Sequence, residues 1–259
     1  MSAPTTPGRS RRPISSGPSS ASRSESWASA SIASLTSVCS DDLNSIQFPE
    51  ARMIGPFILG GLDGYPFVGK TGIGAFSHHV PEGGAALMFV GPHVGITDDG
   101  QVGKVVRPGQ TRPSDCCGAA SAALRKLEAG RITPKEPACY DPDDYQQEAL
   151  EQLVLRHAGE ILGPGKPDEA RRFVRMTEVI YREAEAAFFR LLKTVDFEAP
   201  AFAFGGILIN RDGDAGASIA LHRAARVDNK QLVDMTAEFT EWSEAKFKEI
   251  EAGKADALR

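Results

Sequence analysis

Residues 85–93 read AALMFVGPH. Six apolar residues run together and are stopped by Gly91 and Pro92. The run is strand-length and shows no polar alternation, which is the pattern of a strand buried on both faces. Two other segments share the character. MIGPFILGG (53–61) is apolar and bounded by glycine, and ASLTSVC (33–39) is partly β-branched and ends at Cys39. Downstream, GAASAALRKLEAG (118–130) is rich in alanine and leucine and closes on Gly130, a helix with a stop signal. After a proline-rich link, YQQEALEQLVLRHAGEIL (145–162) and DEARRFVRMTEVIYREAEAAFFRLLKTV (168–195) carry apolar residues at three- and four-residue spacing, as amphipathic helices do. PAFAFGGILINRD and ASIALHRAARV, separated by GDAG, read as two strands about a turn, and a last amphipathic helix is expected over about 229–252. Strands alternating with helices give an α/β fold, a central sheet flanked by helices. No internal repeat is visible.

Composition narrows the class. The chain has 259 residues, 41% hydrophobic and 24% charged, ordinary for a globular protein. A net charge of −5 argues against a nucleic-acid partner, which asks for a broad basic face. No apolar run is long enough to span a bilayer. Four cysteines at irregular spacing suit a reducing compartment, with thiols free for metal or catalysis. Residues 1–30 are rich in Ser, Pro and Arg and lack the apolar pattern of a folded segment, so they are expected to be a disordered tail. Residues 31–259 are then expected to form one domain. The localisation expected is cytoplasmic, or organellar if the tail is a transit peptide.

Two groups of residues suggest chemistry. GYPFVGKT (64–71) matches the phosphate-loop pattern in full. That motif needs a helix at its lysine, and the following GIGAFSHHVP is glycine-rich and soon meets Pro81, which argues against one. The second group is a zinc-type ligand set. Cys39 ends one strand and precedes Asp41, His93 ends another, and Cys117 stands where a helix begins. Strand ends and helix starts converge at the carboxyl edge of an α/β sheet. Two thiolates and an imidazole leave a fourth position for water, although each residue taken singly also fits ordinary packing. His78, His79, His157, His222 and Cys139 offer no comparable set.

GGLDGYPFVGKTGIGAFSHHVPEGG, GPHVGITDDGQVGKVVRPGQ and CCGAASAAL resemble the limiting-CO2-inducible protein B family, grouped with the theta-class carbonic anhydrases. The similarity runs from about 30 to 228. It implies a fold like that of the β-carbonic anhydrases, with a mostly parallel central sheet, and a homodimer. The β-class pattern is Cys-x-Asp-x-Arg followed by His-x-x-Cys-Gly. Cys39-Ser40-Asp41 matches the first part, and His93 follows 54 positions later. The cysteine comes a further 24 positions on, past a glycine-rich insertion, and Gly118 after it selects Cys117 over Cys116. Leu43 occupies the β-class arginine position, so Asp41 loses its usual partner, and Arg107 in the insertion is the candidate substitute.

The resemblance thus implies Zn2+ on Cys39, His93 and Cys117, with Asp41 and Arg107 as catalytic residues and CO2 and bicarbonate as substrate and product. Zinc would lower the pKa of its bound water to about 7, and the hydroxide would attack CO2. Two thiolates make that water harder to ionise, so activity should rise with pH. Tyr65, Phe76 and His79 are candidate pocket walls. The competing readings are a catalytically silent zinc-binding scaffold in inorganic-carbon handling, and a nucleotide-binding protein acting through Gly64–Thr71.

Overall fold

The structure, a computed structural model, describes residues 32–44, 53–165, 167–213 and 217–251. The tail expected over 1–30 lies outside the described residues. A seven-stranded sheet organises the rest: β1 (Ile32–Ser37), β2 (Met53–Ile58), β3 (Ala85–Val90), β4 (His93–Ile96), β7 (Ala201–Arg211), β8 (Ala217–Asp228) and β9 (Gln231–Asp234). The order is β2-β1-β3-β7-β8-β9, and β4 continues beside β7 where β3 leaves off. β2, β1, β3, β4 and β7 run parallel, while β8 and β9 are antiparallel additions. This is the α/β architecture with a mostly parallel sheet expected above.

Among the described residues, six α-helices accompany the sheet: α1 (Gly69–Ser77), α2 (Gly118–Glu128), α3 (Tyr145–Arg156), α4 (Ala158–Leu162), α5 (Glu169–Leu192) and α6 (Thr236–Glu251). Alternate residues of the strands, Ala33 and Leu35, Ala86 and Met88, Ala201 and Ala203, bury against Ile73 and Phe76 of α1 and Ala184, Phe188 and Leu192 of α5. Period-two alternation meets a three-to-four helical stripe, so each side supplies one continuous apolar face. The N-terminal half of α5 instead packs Phe173, Met176 and Ile180 against α2 and α3, in a second core that also holds Cys39 and Cys117. Asp168 caps α5, its carboxylate accepting from the Arg171 amide at 2.8 Å.

Several sequence expectations change. Gly69–Ser77 is helical in spite of its glycines. The absence of a side chain at Gly72 lets Leu59 and Val68 close on the helix, and burial of Ile73 and Phe76 outweighs the poor propensity. His93 does not end the preceding strand. β3 stops at Val90, the chain jogs through Gly91 and Pro92, and His93 opens β4 opposite Leu208. A Cβ on Gly91 would collide with the Gly206 carbonyl, so only glycine fits that jog. The segment 145–162 breaks at His157 into α3 and α4. Asn229 and Lys230 both have positive φ, and turn β8 back into β9, so the last helix starts only at Thr236.

Candidate metal centre

The carboxyl edge of the parallel strands carries the site. Cys39 lies two residues beyond β1, Asp63 and Tyr65 lie in the loop after β2, and His93 follows β3. Cys117 stands at the N-cap of α2 with extended backbone, and the peptide bond between Cys116 and Cys117 is cis. This is where α/β sheets place their chemistry, because successive connections leave a crevice there.

Cys39 Sγ, Cys117 Sγ and a ring nitrogen of His93 lie within 4.8 Å of one another, and all three residues are buried. The two sulfurs are 3.7 Å apart. Two sulfurs each about 2.3 Å from one tetrahedral zinc would stand about 3.8 Å apart. His93 Nε2 is buried and makes no hydrogen bond. Its other nitrogen, Nδ1, is 2.8 Å from Asn210 Oδ1. A buried, unpartnered imidazole nitrogen facing two sulfurs is costly unless a metal takes its lone pair, so the donor set fits zinc.

The thiols are already biased toward that role. The contact with Cys117 holds the Cys39 thiol at about 4, against the opposing effect of burial. Cys117, through the same contact and its own burial, is pushed up instead. The Asp63 amide also donates to Cys39 Sγ, at 3.2 Å. Burial works to lower the His93 pKa, but the sulfurs of Cys116 and Cys39 and the charge of Asp63 raise it overall. Asp63 is fully buried, and desolvation together with the Cys39 charge pushes its carboxyl to about 7.

Asp41 stands beside the triad, its Oδ2 3.9 Å from His93 Nε2. Arg107 Nη2 donates to that same Oδ2 at 2.5 Å, and Arg107 Nε lies 3.5 Å from Asp42 Oδ1. Burial opposes ionisation of Asp41, yet the Leu43 amide, the Asp42 side chain and the His93 and Arg107 charges hold it below the usual carboxylate range. The insertion between His93 and Cys117 makes this contact. Its short strands β5 (Lys104–Val105) and β6 (Ser114–Asp115) pair antiparallel, and Lys104 Nζ meets Asp115 Oδ1 at 2.8 Å. Arg107 between them donates to Ser114 Oγ at 2.6 Å and to the Asp115 carbonyl at 3.2 Å. The guanidinium is thereby aimed at Asp41, the residue that Leu43 cannot reach with charge.

Not every candidate lies here. Phe76 belongs to the other core, and exposed His79 packs its ring on that side too, both rings meeting Phe57 at 6.0 and 5.6 Å, so they do not wall this site. Tyr65 packs between the two cores. The phosphate-loop match does have a helix starting at Gly69, but the loop ahead of that helix is closed on itself. The amides of Gly64, Tyr65, Phe67, Val68 and Gly69 all donate to nearby carbonyls, and Pro66 has none, so that stretch offers no nest for a phosphate. Cys116 is buried behind the imidazole, its sulfur 3.5 Å from His93 Nδ1. Asp63 and Asn210 were not singled out by the sequence. The one trace of Asn210 is a polar residue inside the apolar run GGILIN, and Asp63 shows only as an acid between glycines.

Among solved structures, the chain is similar to PtLCIB4, a homolog of the limiting CO2-inducible protein LCIB, at 27% identity and a TM-score of 0.67, over 83% of this chain and 90% of that one. The fold is also shared with limiting CO2-inducible protein LCIB itself, at 21% identity and a TM-score of 0.56, over 79% of this chain and 83% of that one. Comparison with curated proteins gave no significant match. Among the described residues, no helix is long and apolar enough to cross a membrane. The family described as limiting CO2-inducible proteins B/C beta carbonic anhydrases matches residues 24–235, and the chain belongs to it.

Proposed function

We propose that this protein is a zinc carbonic anhydrase that interconverts CO2 and bicarbonate. One observation carries the reading: a buried Cys39–His93–Cys117 triad with an unpartnered Nε2, beside an aspartate already bound by an arginine. Cys39, His93 and Cys117 are the ligands in this reading. Zinc bound there would supply a Lewis acid that lowers the pKa of water, making a nucleophile available near neutral pH.

The remaining work falls to the chain. Arg107 holds the Asp41 carboxylate in an ion pair, so Asp41 does not take the position left by three ligands. The free Asp41 oxygen, Oδ1, accepts from the Leu43 amide at 3.2 Å, which fixes the carboxylate plane. Held this way, Asp41 can accept a hydrogen bond from water and orient a lone pair toward CO2. Asp41 and Arg107 are also the partly exposed members of the group, at 12% and 17%, so substrate and the released proton pass on their side. The Leu43 substitution is thus compensated in space rather than in sequence. A homodimer, as in the family, accompanies this reading.

The test pairs metal analysis with stopped-flow CO2 hydration across pH. The expected result is about one zinc per chain and a hydration rate that rises with pH. Zinc present with no rate above background at any pH would refute catalysis and leave the scaffold reading.

A further inference from the structure

Asn210, near the end of β7, has no role in the reading so far. Its side chain is buried and meets the imidazole of His93 at Nδ1, the ring nitrogen opposite the unpartnered Nε2. Three contacts surround its amide. Oδ1 is 2.8 Å from His93 Nδ1 and 3.5 Å from Cys116 Sγ, and Nδ2 is 3.4 Å from the Leu43 carbonyl.

The Leu43 carbonyl can only accept, so it takes the amide's N–H end. That leaves Oδ1 facing His93, where it can only accept as well. The proton on Nδ1 is thereby required, and the thiol of Cys116 adds a second donor to the same oxygen. A neutral imidazole with its proton on Nδ1 has its lone pair on Nε2, the atom that faces Cys39 and Cys117. If the amide were reversed, two acceptors would face each other at the Leu43 carbonyl, so that carbonyl fixes the amide's orientation.

We infer that Asn210 is a positioning residue, which sets the tautomer and ring orientation of His93 for metal binding and ties that histidine to the backbone of Leu43. The inference rests on the metal reading above. It also gives the Cys39–Leu43 segment a second link to the site: Leu43, which lacks the arginine's charge, contributes its carbonyl instead. β7 is well suited to the task, because His93 is paired to Leu208 two residues away, and the sheet register fixes the distance between ring and amide. Partners of this kind, bonded to the free nitrogen of a metal-binding histidine, commonly change metal affinity by about 10–100-fold.

The experiment uses the full-length zinc-loaded chain. Transfer of zinc to a chromogenic chelator is followed for wild type, Asn210→Ala and Asn210→Asp, with circular dichroism to confirm folding. Asn210→Ala should lose zinc about 10–100 times more readily, whereas Asn210→Asp, which keeps an acceptor at Nδ1, should stay within a few-fold of wild type. Nitrogen-resolved NMR of the wild-type histidines should show a slowly exchanging proton on Nδ1 of His93. Equal zinc retention by Asn210→Ala, equal loss by the two variants, or the proton absent from Nδ1 in a zinc-loaded wild type overturns the inference alone. A wild type that takes up no zinc overturns the metal reading as well. Should Asn210→Ala not fold, the NMR result and Asn210→Asp decide the matter.

Discussion

Helix α5 passes through two cores that share its backbone and differ in kind. Its C-terminal half, Ala184 to Leu192, meets alternating strand residues with side chains that are wholly apolar. Its N-terminal half, Phe173 to Tyr181, backs a core that includes Cys39 and Cys117 and borders His93, Asp63 and Asn210. The first core satisfies every demand by packing. The second leaves His93 Nε2 and Asp63 Oδ2 buried without partners. Such atoms cost stability, and a fold retains them where something else is to be bound. The contrast separates residues that hold the protein together from residues that hold its chemistry.

The largest expected effect tests the polar core. Cys39→Ser or Cys117→Ser should reduce zinc from about one per chain to near zero and hydration to background, because a hydroxyl replaces a thiolate ligand. Cys116→Ser should retain zinc, since its sulfur lies on the Nδ1 side of His93. Emission spectroscopy on purified protein gives the answer. Full zinc in either ligand variant would mean that the buried sulfurs are packing groups, and the contrast between the cores would collapse.

The apolar core should answer in a different currency. Leu192→Ala removes a fully buried side chain and should cost about 2–5 kcal/mol in urea unfolding. Zinc per folded chain should stay unchanged. Zinc loss from protein that is still folded would show that α5 couples the two cores instead of dividing them.

Between these lies Arg107. Arg107→Ala frees the Asp41 carboxylate, which then competes for the open position at the metal. Hydration should fall at least about tenfold, some 1.4 kcal/mol, with zinc content intact. Arg107→Lys should recover part of the rate, since an ammonium supplies charge without the guanidinium fork that also grips Ser114. Loss of zinc instead of rate would make Arg107 a support of the metal and not a restraint on Asp41.

The apolar core was largely legible in the sequence. The run 85–90 follows from its unbroken apolar character and the stripe of α5 from periodicity, and both record burial. α1 was missed because its glycines argue against a helix, and only the packing of Gly72 under Leu59 and Val68 reverses that. β4 was missed because Gly91 and Pro92 look like an end and are only a jog. In the polar core, spacing and resemblance drew attention to Cys39, His93 and Cys117. The approach of Arg107 to Asp41 depends on the β5–β6 hairpin, two strands of two residues each, which leaves almost no pattern. Asn210 and Asp63 act through single contacts set by sheet register and a loop, and neither leaves a motif. Phe76 and His79 mislead for the opposite reason: they stand in a segment of the family resemblance, yet Phe76 is buried in the apolar core and His79 lies exposed against Phe57 at its margin.

The smallest effect asks whether polarity on the site's side of the molecule matters by itself, or only when buried. Lys135 forms an ion pair with Glu148 on α3, the helix whose Leu150 and Leu153 line the polar core. The Lys135 ammonium, aided by the Asp141 amide, holds the Glu148 carboxyl below its ordinary range, and Glu148 in turn raises Lys135. A depressed carboxylate stabilises above its unfolded pKa of about 4.3 and loses that contribution as acid protonates the folded group. A raised lysine stabilises below about 10.4 and loses its share above the folded value. The pair therefore works across the neutral range and fails at both ends. Both groups are reached by water, which screens them, so Lys135→Ala should lower the thermal midpoint near neutral pH by less than about 2 °C. As acid takes the pH below the lowered folded value of Glu148, the difference from wild type should shrink toward zero, and zinc should be unaffected at neutral pH. A large shift, or one that persists in acid, would mean that this rim shares the energetics of the buried site, and burial would no longer be what distinguishes the two cores.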